Sequence, residues 1–430
     1  MRFSTYVFAV VLAQTTGSVV SASPVASAGM PLPLKGGKHL RPVIERRALA
    51  DGQGAPGQPI WGNRGAPISG GTNQYLDNTN PDNLGAQSTD NGVVVNLKWS
   101  FSDSKTRALP GGWTREQVVT DLPASKDIAA AQQHLTKGTY RELHWHRVAE
   151  WGFLYKGQIK LFAVDQDGKN QVETLDPGDY WYFPKGSAHG VQGLADQSEY
   201  LLVFDDGNFD ASGTTFMVDD WIAHTPKSIL AKNFGVNASV FDSVPKTDPY
   251  LVTGIAEPEE QQDSPYGKTD YVYFGSQKPH TNAPGGGGTV QIVDTTVFPT
   301  AKTIASSLVT LEPGALRELH WHPNADEWLY FLSGNARATV FIGGSTARTF
   351  DFSAGDTAVF PDNSGHYVEN TSKNETLVWL ELYKSDRVQD ISLTQWLALT
   401  PIHTVAEVLN ISTDVVKNLK KEKQLIIAAN

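Results

Sequence analysis

The sequence predicts an all-β fold with short helices, arranged as two tandem jelly-roll barrels, on three observations. The first is a repeat: RELHWH stands at 141–146 and again at 317–322. The likeness spreads outward to PGDYWYFPKGSAHGV (177–191) against AGDTAVFPDNSGHYV (354–368), and on to WIAHTP at 221 against WLALTP at 396. The copies are offset by 176 residues at the first match and 177 at the second, a duplication of a whole domain of roughly 150 residues. The second observation is period-two alternation in LHWH, WYFP and TAVFP, the pattern of half-buried strands. The third is punctuation by Gly, Pro, Asp and Asn every few residues, which suits antiparallel strands joined by turns. Helical patterning is expected only past the WxAxTP segments, in KSILAKNFGV and TVAEVLNIS, so each barrel carries a short helical end.

Taken in order along the 430 residues, residues 1–22 read as a secretory leader. Arg2 is followed by the apolar run YVFAVVLA and small residues at VVSA, a run too short to cross a bilayer. Residues 23–85, rich in Pro, Gly, Ser and Asn, read as a propeptide or extended segment without a core of its own, with Arg46–Arg47 as a processing signal. Residues 86–240 form the first barrel, 241–275 a linker, and 276–430 the second barrel. Sequons at Asn237, Asn370, Asn374 and Asn410 fit a secreted glycoprotein. There is no cysteine, so packing holds the fold together and sulfur ligands are excluded.

Charge narrows the partners. The net charge is −11, and the first 47 residues carry six Lys/Arg against one acid, net +5, which leaves −16 on the remainder. An acidic body argues against nucleic acid and anionic membranes. It leaves open a small anion bound by local metal and arginine.

The chemistry lies in the histidines. On a strand, alternate side chains share a face, so His144 and His146 project together, as do His320 and His322. Glu150 and Glu327, four and five residues past the second histidine of each pair, can return past a turn to the same centre. His189 and His366 come from later strands. Three imidazoles and one carboxylate make a mixed N/O site for a first-row divalent ion with two octahedral positions open. Six of the eleven histidines fall at matched positions, which separates a ligand set from scattered structural histidines. Trp145 and Trp321, pointing away from these centres, are expected to pack between the barrels.

These residues resemble the cupin family. Gly138, His144, His146, Glu150 and Gly157 are similar to the first cupin motif, and Gly178, Pro184, Gly186 and His189 to the second. Gly314, His320, His322, Glu327 and Gly334, then Gly355, Pro361 and His366, repeat both. Asn363 replaces a motif glycine in the second copy, and Gly193 stands where the first would have the trailing asparagine that the second keeps as Asn370; neither departure touches a ligand. RELHWH, FDDGNF and the WxAxTP ends resemble the bicupin oxalate decarboxylases and the fungal oxalate oxidases. That resemblance implies two Mn2+ per chain, oxalate and O2 as small-molecule substrates, and Arg141 and Arg317 holding the oxalate carboxylate. Parity alone does not place either arginine on the histidine face, since each lies three residues earlier. A homo-oligomer is a further expectation.

The resemblance also frames the reaction. Once CO2 has left, a positioned acid gives formate; without one, oxidation continues to a second CO2 and H2O2. In the decarboxylases a lid after the FDDG strand carries that acid, at the second position of a Ser-Glu-Asn-Ser-like tetrapeptide. Here the stretch is DASGTT and the second position is Ala211, with no glutamate from 200 to 255. Lids of the Asp-Ala-Ser type go with oxidases, so oxalate oxidase is the first expectation and oxalate decarboxylase the alternative. The latter would need Asp210 or Glu381, whose counterpart at the 176 offset is Asp205. A storage-type bicupin or a copper dioxygenase on flavonols is disfavoured by two whole ligand sets and by the arginines.

Overall fold

The computed structural model describes residues 89–255 and 262–429. The expected leader, nearly all of the extended segment and the Arg46–Arg47 signal lie outside them. Each copy of the repeat folds as two antiparallel sheets face to face.

In the first barrel the inner sheet runs Val272–Tyr273, Tyr180–Phe183, Glu150–Lys156, Ser198–Phe204, Ala129–Leu135, Gly112–Gln117 and Arg107–Leu109. The outer sheet runs Thr215–Met217, Thr139–His146, Ala188–Gly193, Ile159–Val164 and Asn170–Leu175, with Leu251–Thr253 also on Thr139–His146. The second barrel repeats this order. Its inner sheet runs Lys98–Ser100, Asp356–Phe360, Glu327–Ser333, Leu377–Tyr383, Ala305–Leu311, Gly288–Val293 and Thr281–Asn282. Its outer sheet runs Thr346–Ser353, Asn335–Gly343, Gly365–Asn370, Leu316–Trp321 and Ile391–Ser392, with Ile426–Ile427 on Leu316–Trp321.

The barrels exchange arms. Lys98–Ser100, from the chain entering the first barrel, pairs with Asp356–Phe360 of the second. Val272–Tyr273, ahead of the second barrel, pairs with Tyr180–Phe183 of the first. Lys98 is fully buried there, its ammonium 2.9 Å from Asp356.

Between the two inner sheets lies a shared apolar layer. Trp151, Phe153, Tyr180 and Leu201 of one barrel pack with Trp328, Tyr330, Leu380 and Leu382 of the other. Trp151 and Trp328 are 0% and 1% exposed. Each immediately follows its metal-type glutamate, and strand alternation sends the glutamate into the barrel and the tryptophan out to the neighbouring one. The expectation for Trp145 and Trp321 is thereby corrected. Trp145 stacks on Phe216 and meets Trp221, and Trp321 meets Trp396, on the outer sheets beside the helical ends.

Those ends begin earlier than expected. Helices α1 (Val218–Ala223) and α2 (Lys227–Phe234) end the first copy, and α3 (Leu393–Ala398), α4 (Ile402–Leu409) and α5 (Thr413–Lys417) the second. The first three residues of each WxAxTP segment thus lie inside α1 and α3. In α3 the Ser392 side chain accepts from the Gln395 N–H, satisfying a first-turn donor.

Candidate metal centres

A β-bulge explains why the arginines join the histidines. His144 pairs with His189 and Arg141 with Val191, so three residues on one strand span two on the other; Arg317 and His320 repeat this against Val368 and His366. The additional residue reverses parity and turns each arginine onto the ligand face. Both are buried, at 4% and 2% exposure.

All eight expected ligands converge. His144, His146, Glu150 and His189 each offer one atom within 4.8 Å of the others, and so do His320, His322, Glu327 and His366. Glu150 Oε2 lies 3.1 Å from His146 Nε2 and 3.4 Å from His189 Nε2. Glu327 Oε2 lies 3.5 Å from His322 Nε2 and 2.8 Å from His366 Nε2.

The outer ring nitrogens are already engaged. Nδ1 of His144, His189, His320, His322 and His366 donates to the carbonyls of Glu142, Ser187, Glu318, Gln389 and Ser364 at 2.6, 2.9, 2.6, 2.7 and 2.8 Å. His146 Nδ1 instead meets Thr215 Oγ1 at 2.9 Å. Fixing Nδ1–H in this way leaves each Nε2 as a lone-pair donor aimed at the centre. Nε2 of His146, His189 and His366, with Glu150 Oε2 and both Glu327 oxygens, are buried without a hydrogen-bond partner. A divalent cation is what such donor sets fit. Burial opposes ionisation of Glu150 and Glu327, but the facing imidazoles outweigh it and hold both carboxyls well below their usual range.

Around this common frame the centres diverge. Glu150 Oε1 accepts from Trp181 Nε1 at 3.0 Å. Trp181 fits because Gly152 lies opposite it, where an added Cβ would meet the indole at 1.9 Å. The second barrel has Ala358 opposite Leu329.

Arg141 sits over the Tyr250 ring at 3.9 Å and donates to the Tyr250 carbonyl at 3.3 Å. It lines a cavity of about 290 Å³ with His144, His146, Glu116 and the Phe209–Thr215 segment. Among the described residues no carboxylate forms an ion pair with it. Arg317 is neutralised: Asp390 lies at 2.6 Å and Glu381 at 3.5 Å. Tyr383 donates to Glu381 at 2.9 Å and approaches His322 Nε2 at 3.4 Å.

Strand register corrects the expected counterpart of Glu381. Glu381 pairs with Ser307, while Ala131, the residue matching Ser307, pairs with Leu202. Leu202 and Phe204 therefore stand where the second barrel has Glu381 and Tyr383, and Asp205 lies beyond the strand. Its carboxylate accepts from the Ala149 N–H at 2.9 Å instead. The acid of the first barrel lies two strands over, since Glu116 pairs with Ala131 in the same cross-strand row. Burial, then the charge of Asp210, raises its carboxyl above the ordinary range. Glu116 was not singled out in the sequence; the only signal is that its repeat counterpart is Ile292. Asp210 does line the cavity.

One sequon is occupied by structure. Asn370 is 1% exposed, and its Nδ2 donates to the carbonyls of Leu311, Glu312 and Glu375, which leaves no room for a glycan.

Two face-to-face antiparallel sheets around a three-histidine, one-glutamate centre, twice over, define a cupin with two cupin domains. A cupin family model matches residues 101–241 and again 274–417. The chain belongs to that family, and within it to the bicupin oxalate decarboxylase family. It is 58% identical over 380 residues, 87% of this chain and 94% of the relative, to a probable oxalate decarboxylase of Arthroderma benhamiae. It is 43% identical over 86% of this chain and 96% of the relative to oxalate decarboxylase OxdC of Bacillus subtilis. A solved structure of the Bacillus subtilis enzyme superposes with a TM-score of 0.82 at 42% identity, covering 87% of this chain and 98% of that one. Another, with a TM-score of 0.82 at 41% identity over 87% of this chain and all of that one, is described by its Mn(II) centres.

Proposed function

We propose that the chain degrades oxalate with manganese bound at both centres, turning over at the first as a decarboxylase that converts the hydrogen oxalate anion to formate and CO2. The observation that carries this is Arg141, a buried guanidinium beside His144 and His146, facing a cavity with no ion-paired carboxylate of the chain's own. A small dicarboxylate supplies the missing counter-charge, one end on the arginine's N–H groups. Relatives at 58%, 53% and 43% identity, all named oxalate decarboxylases or probable ones, support this alternative over the oxidase expectation.

Manganese, when bound, supplies one-electron redox chemistry and the cationic anchor for substrate. The chain supplies the rest. Arg141 orients the anion, the fixed Nδ1 donors hold the imidazoles in one tautomer, and Leu202, Phe204 and Phe209 form the apolar part of the cavity wall. Ala211 has no acidic proton to give, so the acid for the C–H bond of formate is assigned to Glu116, which lines the cavity and whose carboxyl burial raises above the ordinary range. Oxalate oxidation to two CO2, with O2 reduced to H2O2, is the second reading, favoured by Ala211 in the lid. Secretion and assembly of several copies belong to the proposal too; the exposed Trp221, Trp396 and Leu399 on the helical ends are the surface that assembly would cover.

Incubation of manganese-loaded protein with labelled oxalate tests this. The expected products are formate and CO2 in equal amounts, shifting toward peroxide in Glu116→Gln. Stoichiometric peroxide without formate in the unmodified protein overturns the decarboxylase reading, and no consumption of oxalate overturns both.

A further inference from the structure

The pseudo-symmetry of the barrels exposes a buried carboxylate with no donor. Glu318, in the bulge beside Arg317, is fully served: Oε2 accepts from Ser392 Oγ at 2.7 Å and Oε1 from the Leu425 N–H at 2.9 Å. Glu142 occupies the same bulge beside Arg141 and is 6% exposed. Both of its counterpart's donors are gone. Met217 stands where Ser392 does, and the Tyr250 N–H is turned to Asp248 at 2.6 Å. Both Glu142 oxygens, and Asp219 Oδ2, are buried without a hydrogen-bond donor.

Two further acids have been added against it. Asp219 and Asp248 each bring one oxygen within 4.8 Å of the Glu142 carboxylate and of each other. Their counterparts in the second barrel are Thr394 and Lys423, matched through α1 against α3 and through Tyr250 against Leu425. The change from the second barrel to the first thus removes two donors and one cation, and adds two anions around a buried carboxylate. A buried carboxylate keeps its charge only when paired or bound to a metal, and otherwise takes up a proton; burial, then Asp219 beside it, pushes the ion-free Glu142 carboxyl up to about 8. A mostly apolar groove of about 490 Å³, lined also by Arg141, Glu142 and Asp219, leaves space for water to complete a coordination shell.

We propose that Glu142, Asp219 and Asp248 form a third cation site, of oxygen donors only and hence of the calcium type, separate from the two histidine centres. Hard divalent cations take carboxylate and water oxygens in such flexible sets, whereas the absence of nitrogen donors makes the site poor for the ions that imidazoles select. The cation ties three segments together: the bulge of the His144 strand, the start of α1 just past Thr215–Met217, and the loop before Leu251–Thr253. Glu142 comes from the arginine bulge, Asp219 follows the lid, and Asp248 also lines the first cavity. Occupancy therefore braces the lid's exit without touching the manganese ligands.

The test uses the full chain with both histidine centres loaded with manganese, titrated with CaCl2 by calorimetry and by thermal melting. One calcium per chain beyond the two manganese ions is expected, with a rise in Tm. The double variant Asp219→Thr, Asp248→Lys takes residues the fold already accepts at these positions in the second barrel. It should lower calcium affinity at least tenfold and remove the Tm rise while keeping two manganese per chain. Glu142→Gln should do the same. No calcium binding up to millimolar concentration in the unmodified chain overturns the proposal, as does binding that the double variant leaves unchanged; in that case the acids share protons instead. Neither result depends on what the first centre turns over.

Discussion

In the first barrel a buried arginine leans on a tyrosine ring and faces an open cavity; in the second, the arginine at the same bulge is locked between Glu381 and Asp390. The ligand sets behind them are alike in residue type and in the order of the ligands along the chain, and differ by one residue in spacing. What separates the centres is who supplies the arginine's counter-charge. The second barrel supplies it internally, with a carboxylate on each side, and Lys423 in turn pairs with Asp390. The first shows no such pair among the described residues, and the proposed reading leaves that role to the substrate. On that reading a duplicated fold keeps one site for turnover and lets the other settle into structure, without altering a single ligand.

The largest effect that would break this contrast is at the arginines. Arg141→Ala should lower kcat/KM for oxalate roughly a thousandfold, the scale of losing a positioned donor in a dry site, with little change in Tm. Arg317→Ala should do the reverse, costing roughly 3–5 kcal/mol of stability because Glu381 is left buried without its cation and Asp390 keeps only Lys423, as measured by denaturant melts. Equal catalytic loss in both variants would show that the two sites share turnover.

Next is a transplant. Leu202→Glu puts into the first barrel the carboxylate that the second has at Glu381. Pairing with Arg141 should raise KM for oxalate about a hundredfold while manganese content stays at two per chain. Steady-state kinetics with metal analysis reads this, and an unchanged KM would remove counter-charge as the distinguishing principle.

How much of this was legible in the sequence follows from the physics of strands. His144, His146, Glu150 and His189, with their second-barrel equivalents, were legible because ligand spacing is a local property of an extended chain and the repeat doubled the signal. Arg141 was placed only through resemblance, since the bulge that reverses its parity has no residue signature of its own. Glu381 was matched to Asp205 because a constant offset was carried past insertions; strand register moves the match to Leu202. Glu116 was missed because it reaches the cavity across three strands, a relation set by sheet order. Trp145 was assigned to the interface that Trp151 occupies, because alternation says which residues share a face but not which face meets the other barrel.

The arginine pair also predicts a pH response. Burial opposes ionisation of Asp390, but Arg317 and Lys423 outweigh it and hold its carboxyl well below the usual range. The folded state therefore binds fewer protons than the unfolded one in acid. Its stabilisation is complete above the ordinary aspartate value of 3.8 and is lost as pH falls through the depressed folded value. Asp390→Asn should cost about 2 kcal/mol near neutral pH and flatten the acid limb of the Tm profile. Arg141, without such a partner, contributes no matching limb of its own.

The smallest effect sharpens the comparison at the metal itself. His322 is oriented by a main-chain carbonyl, that of Gln389, whereas His146 is oriented by the hydroxyl of Thr215, at the far end of the lid. A side-chain orienter can be removed without disturbing the backbone. Thr215→Val keeps the shape and deletes the acceptor that fixes the His146 tautomer, and such outer partners are worth about tenfold or more in metal affinity. Competition with a chelator, followed by the manganese resonance of each centre, should show the first site weakened about tenfold and the second unchanged. Equal weakening would mean that the lid acts on both centres at once; no weakening would mean that the cavity's walls alone hold the imidazole in place.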